Sequence, residues 1–251
     1  MDVTKQQRTA HILTCDETSE RAQHTASILS QIGFNVVFDP VIDPLNIDSF
    51  SNISDESERV KLIKQHVSYS NRISMHTIFN NAIIGSDEWL YVFEDDISTV
   101  TDITLDEIIE YEEISDHLFY IGCCQHHKMM KPPFVYQTPH NINGYDVYKV
   151  SRTNCLHAVA YKVSNLPYML EYDYDHTTNN YRKAYLDQII GTFFIKKHHS
   201  NVVRWDEKSP LVQSQRGALY QDRVKFPSQW MAHTKPGLNL LDIYKETKSK
   251  P

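Results

Sequence analysis

Three consecutive carboxylates, Glu94-Asp95-Asp96, follow directly on the apolar run Trp89-Leu90-Tyr91-Val92-Phe93. Adjacent acids repel one another unless a cation is near, and carboxylate oxygens are the hard ligands that Mg²⁺ and Mn²⁺ prefer. Such ions commonly bridge one or two carboxylates to the phosphates of a substrate. The bland alternative is a solvated acidic turn; the apolar strand in front of the acids favours a metal site, because ligands of open α/β sheets bind beyond the carboxyl ends of strands. Glycine usage points the same way. The chain has seven glycines, and no two lie closer than twenty positions. A dinucleotide fingerprint or a phosphate-binding loop needs several within a few residues. Both are excluded, so any bound phosphate must be held by another device, such as a metal.

Other residues carry weaker signals. Asp16 ends an apolar run and Arg21 follows within the next predicted helix; the pair suits a ligand at a strand end, or equally an acid placed at a helix N-terminus. His76 sits in a helical pattern, where a core or surface role competes with ligand contact. Asp187 lies in the apolar helical segment AYLDQIIG, where a buried carboxylate without a partner is costly. Arg182 or Lys183 would serve as its ion-pair partner if its role is structural. Asp173 and Asp175 are rival acids in EYDYDH. Of thirteen histidines, the doublets His126-His127 and His198-His199 are read as surface or loop features, since neighbouring side chains diverge. The four cysteines form no CxxC pair and are read as buried free thiols of a reducing compartment.

The elements that position these residues alternate strand and helix in the first half. Ala10 to Cys15 reads as a strand, the pattern of Ala22, Ala26, Ile28 and Leu29 as a helix closed by Gly33, and Phe34 to Phe38 as a second strand. A unit of this length predicts a parallel pair. Helical periodicity returns at Val60, Ile63 and Val67, and again from Ile73 to Ala82. The run from Trp89 reads as a strand buried on both faces. In the second half, HLFYIG, PFVYQ, YDVYKV and LHAVAYKV are predicted strands; Ser164 is the predicted N-cap of a helix through Glu171, and Arg182 to Ile190 is a further predicted helix. The expected architecture is one α/β domain over residues 1–251. Residues 10–100 form its ligand-binding half, 101–240 a mixed-sheet, acceptor-binding half, and 241–251 a frayed tail.

The stretch from Arg72 to Ile97, with Ser74, His76, an intervening helix and VFEDDI, resembles glycosyltransferase family 25, which includes lipooligosaccharide and collagen galactosyltransferases. The opening strand with Asp16 and Glu20-Arg21, the later FYIG, LHAVAYKVS, YLDQIIG and PLVQSQ are also similar to that family, so the resemblance spans Ala10 to Gln215. Two departures stand out. Met75 separates Ser74 from His76, and Cys155-Leu156-His157 replaces a Gly-Thr pair.

The resemblance implies a GT-A-like, Rossmann-related mixed sheet flanked by helices, a UDP-linked nucleotide-sugar donor, Mn²⁺ or Mg²⁺, and a glycan or glycoprotein acceptor. It implies Asp96, assisted by Asp95 or Glu94, as metal ligand and His233 as a C-terminal ligand completing the sphere, although an exposed loop histidine competes with that role. Asp16 and Arg21 would meet the uracil or ribose, and His76 the donor phosphates. Asp187 would be the base of an inverting transfer. A metal-dependent nucleotidyltransferase or phosphohydrolase on the same carboxylates is the rival enzyme, and a non-catalytic carbohydrate-binding derivative the rival binding protein. The net charge of −7 disfavours a general nucleic-acid binder. No apolar run approaches the ~18 residues of a membrane span, and the first ten residues lack a signal-peptide core, so a cytoplasmic location is expected.

Overall fold

The computed structural model describes residues 7–42, 53–99, 102–124, 135–150, 154–177, 180–181, 186, 189–190, 200–202 and 211–213. Strand β1 (Thr9–Thr14) leads through α1 (Glu20–Ile32) to β2 (Asn35–Pro40), which pairs with β1 in parallel as the sequence predicts. Ser19 caps α1 by accepting the Ala22 N–H. Gly33 ends it in the left-handed region at φ 114°, where a β-carbon is disfavoured.

The two separate helical patterns of the sequence are one element, α2 (Glu56–Ile84), capped by Asp55. The chain then returns to β3 (Trp89–Glu94), which lies on the other side of β1, again in parallel. Five of the six β3 residues are buried, as a strand with helices on both faces requires.

Beyond β3 come β4 (Ile97–Thr99), α3 (Leu105–Ile114), β5 (Leu118–Cys124), β6 (Val135–Ile142), β7 (Tyr145–Val150) and β8 (Asn154–Lys162). A 3-10 turn then enters α4 (Leu166–Asp173), followed by β9 (Tyr174–Asp175), β10 (Asn180–Tyr181), β11 (Ser200–Val202) and β12 (Leu211–Gln213). The eight-stranded sheet has the order β2-β1-β3-β8-β5-β11-β7-β6. Its β2-β1-β3 edge is parallel, whereas β8 runs antiparallel to both β3 and β5. The molecule is therefore a mixed α/β protein with a mixed central sheet flanked by helices, compatible with a Rossmann-like fold.

Alternation along the strands sorts the core into two layers. Ile12, Tyr91, Phe93, Phe119 and Ala160 face Ile28 and Leu29 of α1 and Ile108 and Tyr111 of α3. Leu90, Val92, Tyr120, Val159 and Tyr161 face Met75 and Phe79 of α2 and Leu166 and Met169 of α4.

Three sequence expectations are corrected. The N-cap position of α4 is Asn165, not Ser164, because the 3-10 turn Val163–Asn165 intervenes. Helix α3 was not expected, although Thr104 and Glu107 form a capping box at its start. Cys15 is exposed rather than buried, since it lies just past the end of β1. Of the helix expected over Arg182 to Ile190, Leu186, Ile189 and Ile190 are helical and buried; the rest lies outside the described residues.

Candidate functional site

The order β2-β1-β3 places a topological switch point between β1 and β3, where the chain reverses the direction in which it lays down strands. Open α/β sheets leave a crevice at the carboxyl ends of such strands. Here that crevice is a cavity of about 220 Å³. Glu94, Asp95 and Asp96 close it from the end of β3, Thr14 and Cys15 from the end of β1, and Arg21 from the first turn of α1. Helix α2 contributes His66, Ser70 and Asn71 as another wall.

Asp95 is the anchor of the acidic turn. Its Oδ1 lies 2.7 Å from Arg21 Nη2, and its Oδ2 accepts the Thr14 hydroxyl at 2.7 Å. The turn is also pinned from behind, where the Ile97 N–H donates to Thr25 Oγ1 of α1 at 3.3 Å. Burial works against the Arg21 guanidinium, but Asp95 and then Asp96 outweigh it and hold its pKa above the ordinary value. With Arg21 charged, three carboxylates and one guanidinium leave the lining acidic. On the outer side of the turn, β12 pairs antiparallel with β4, setting Gln213 opposite Ile97. This brings the backbone of Leu211–Gln213 against the strand that directly follows Glu94-Asp95-Asp96, two stretches separated by more than a hundred positions in sequence.

The donor set bears on the metal that the sequence implies. Among the described residues no group of three or more His, Cys, Asp or Glu converges to hold an ion alone. Glu94, Asp95 and Asp96 all line the cavity, with the Asp95 oxygens held by Arg21 and Thr14. One or two carboxylates with substrate phosphates and waters is the usual Mg²⁺ arrangement, so the residues fit an ion that arrives with a diphosphate.

Other sequence candidates are placed elsewhere. Asp16 does not line the cavity; its Oδ1 accepts the Thr18 N–H at 2.9 Å and the Thr18 hydroxyl at 2.7 Å, which lowers its pKa and shapes the turn into α1. His76 is buried in α2, with Nε2 2.9 Å from Asp173 Oδ2, and Arg72 Nε lies 3.1 Å from the same oxygen. This cluster joins α2 to the end of α4, and it withdraws Asp173 from any role at the surface. Asp175 accepts the Thr177 N–H and hydroxyl, an exposed Asx turn. Asp187 and His233 lie outside the described residues, as do both histidine doublets. Sequence reading missed Thr14, His66, Ser70 and Asn71. Thr14 immediately precedes Cys15 at a strand end and was legible in principle; the α2 residues carry no local signal.

No protein-family model matches this chain, and no curated protein matches it. Among solved structures it is similar to A197 from STIV, with 9% identity and a TM-score of 0.43, over 82% of this chain and 93% of that one. Among the described residues no helix is long and apolar enough to cross a membrane.

Proposed function

We propose that this chain is a metal-dependent glycosyltransferase with a GT-A-like fold, akin to glycosyltransferase family 25. It moves a sugar from a UDP-linked donor to a hydroxyl of a glycan or glycoprotein in the cytoplasm. The observation that carries the reading is the cavity at the switch point, whose acidic wall is Glu94-Asp95-Asp96. Asp96, assisted by Glu94, would hold Mn²⁺ or Mg²⁺, while Asp95, tied to Arg21 and Thr14, fixes the turn that presents them. When bound, the cation neutralises the diphosphate and stabilises the departing nucleoside diphosphate. Asp187 accepts the proton of the acceptor hydroxyl as that oxygen attacks the anomeric carbon and the bond to the diphosphate breaks, giving inversion. Engagement of Asp173 by Arg72 and His76 supports Asp187 over that rival. His233 keeps the role of a further metal ligand. A phosphohydrolase using two metals would call for a second acidic cluster beside Glu94-Asp95-Asp96.

Titration calorimetry with UDP in Mn²⁺ and in EDTA tests the metal. Affinity should be at least about tenfold higher with Mn²⁺, a difference of about 1.4 kcal/mol; equal affinity in both buffers would sink the reading. Transfer assays over a panel of nucleotide sugars and glycan acceptors then test the reaction. Asp187→Asn should lower kcat by roughly 10²–10⁴-fold with donor affinity unchanged.

A further inference from the structure

The α2 wall of the cavity differs in chemistry from the acidic turn. Ser70 is 5% exposed, and its hydroxyl has no protein hydrogen-bond partner. A serine inside a helix ordinarily bonds back to the carbonyl four residues earlier, and a buried hydroxyl that makes no bond is unfavourable. This one lines the cavity beside Asn71, and His66 one turn earlier lines it too. The wall is fixed in place. The Ser74 hydroxyl donates to the Ser70 carbonyl at 2.7 Å and accepts the Ile42 N–H at 2.8 Å, tying α2 to the chain leaving β2. Between this wall and the strand ends, Leu13 and Val41 supply apolar surface.

One side of the cavity is thus anionic and suited to a cation with its diphosphate. The other is polar and apolar by turns and holds an unmet hydrogen bond. The α2 residues lining the cavity include no Lys or Arg to meet a phosphate, and an apolar ligand would leave the Ser70 hydroxyl unmet. A flat heterocycle with carbonyl and N–H groups on its edge, set against Leu13 and Val41, satisfies both requirements. We propose that Ser70, with Asn71 beside it, reads the base of the nucleoside diphosphate. This rests on the nucleotide-binding reading above and adds the residues that select the nucleotide.

The test uses the full chain and Ser70→Ala, titrated in Mn²⁺ with UDP, CDP, GDP, ADP and inorganic pyrophosphate, with melting temperature measured on the same preparations. The hydroxyl has no protein partner, and alanine is a good helix former, so melting should not fall. Affinity for the best-bound nucleotide should drop roughly 3- to 10-fold, the size of one neutral hydrogen bond. Pyrophosphate affinity should stay within about twofold, and the preference among the four bases should narrow. Unchanged binding of the best nucleotide by Ser70→Ala would overturn the proposal while leaving the metal-dependent nucleotide site standing. An equal loss for all four nucleotides would assign Ser70 to the ribose and overturn base reading. If the wild-type protein binds neither pyrophosphate nor any nucleotide in Mn²⁺, the proposal and the reading beneath it both fail.

Discussion

Two Arg–Asp ion pairs in this protein have opposite surroundings. Arg21 and Asp95 meet at 2.7 Å at the mouth of the crevice, where the Arg21 side chain is 40% exposed. Arg72 and Asp173 meet at 3.1 Å between α2 and α4, with side chains 8% and 1% exposed, and His76 shares the same carboxylate oxygen. The first pair lies beside two more acids and a cavity; the second is sealed by helices. The same chemistry therefore fixes a cavity-lining turn in one place and joins two helices in the other. Surroundings decide the role, because solvent screens the first pair while desolvation makes the second intolerant of losing a partner.

Breaking the sealed cluster should have the largest effect on stability. Asp173→Ala leaves Arg72 buried without its carboxylate, a loss of about 3–5 kcal/mol. In a chain of this size, calorimetry should show melting roughly 6–20 °C lower. A shift below about 2 °C would mean that the cluster does not clamp α2 to α4.

Asp96→Asn sharpens the contrast from the other side. Asp96 lines the cavity, so UDP affinity in Mn²⁺ should fall about tenfold or more while melting moves by less than about 2 °C. A large melting loss with binding intact would transfer Asp96 to the structural class.

A smaller effect is expected for Arg21→Gln, since Thr14 still donates to Asp95. About 1 kcal/mol or less should be lost, and the deficit should shrink as NaCl is raised. The deficit of Arg72→Gln should be larger and nearly independent of salt. Equal salt dependence in the two variants would erase the distinction between the pairs.

The smallest change belongs to Asp16. Bonds from Thr18 lower its folded pKa below the unfolded value, so its stabilisation is present above the unfolded pKa and is lost as pH falls through the folded one. The melting difference between wild type and Asp16→Asn should be small at pH 7 and vanish as the pH drops below about 4. A difference that grows in acid would contradict the Thr18 bonds.

Local features were legible where a single stretch of chain contains its own explanation. Gly33 ends α1 because the left-handed position needs no β-carbon, and the parallel β1–β2 pair follows from the length of its crossover. The apolar run of β3 announced burial on both faces, and the acids behind it line the cavity at the strand ends. Thr104 and Glu107 spelled a capping box that was there to be read. The two helical patterns merged into α2 because the periodicity breaks between them without any Pro or Gly to end a helix.

What the sequence determined by itself, then, was the periodicity of each element and the presence of three acids at a strand end, since both depend on neighbours along the chain. Only the tertiary structure decided which polar and charged groups meet. Asp95 is separated from Thr14 by 81 positions, and Asp173 from Arg72 by about a hundred, so no local pattern encodes either pair. Folding returned β3 to the side of β1 away from β2, and that reversal brought Thr14, Arg21 and the acidic turn to one crevice. It also set Ser70 on its opposite wall and drew His76 away to Asp173. The physical reason is that hydrophobic burial fixes strand order and helix placement over the whole sheet, and polar partners are then chosen by proximity in space.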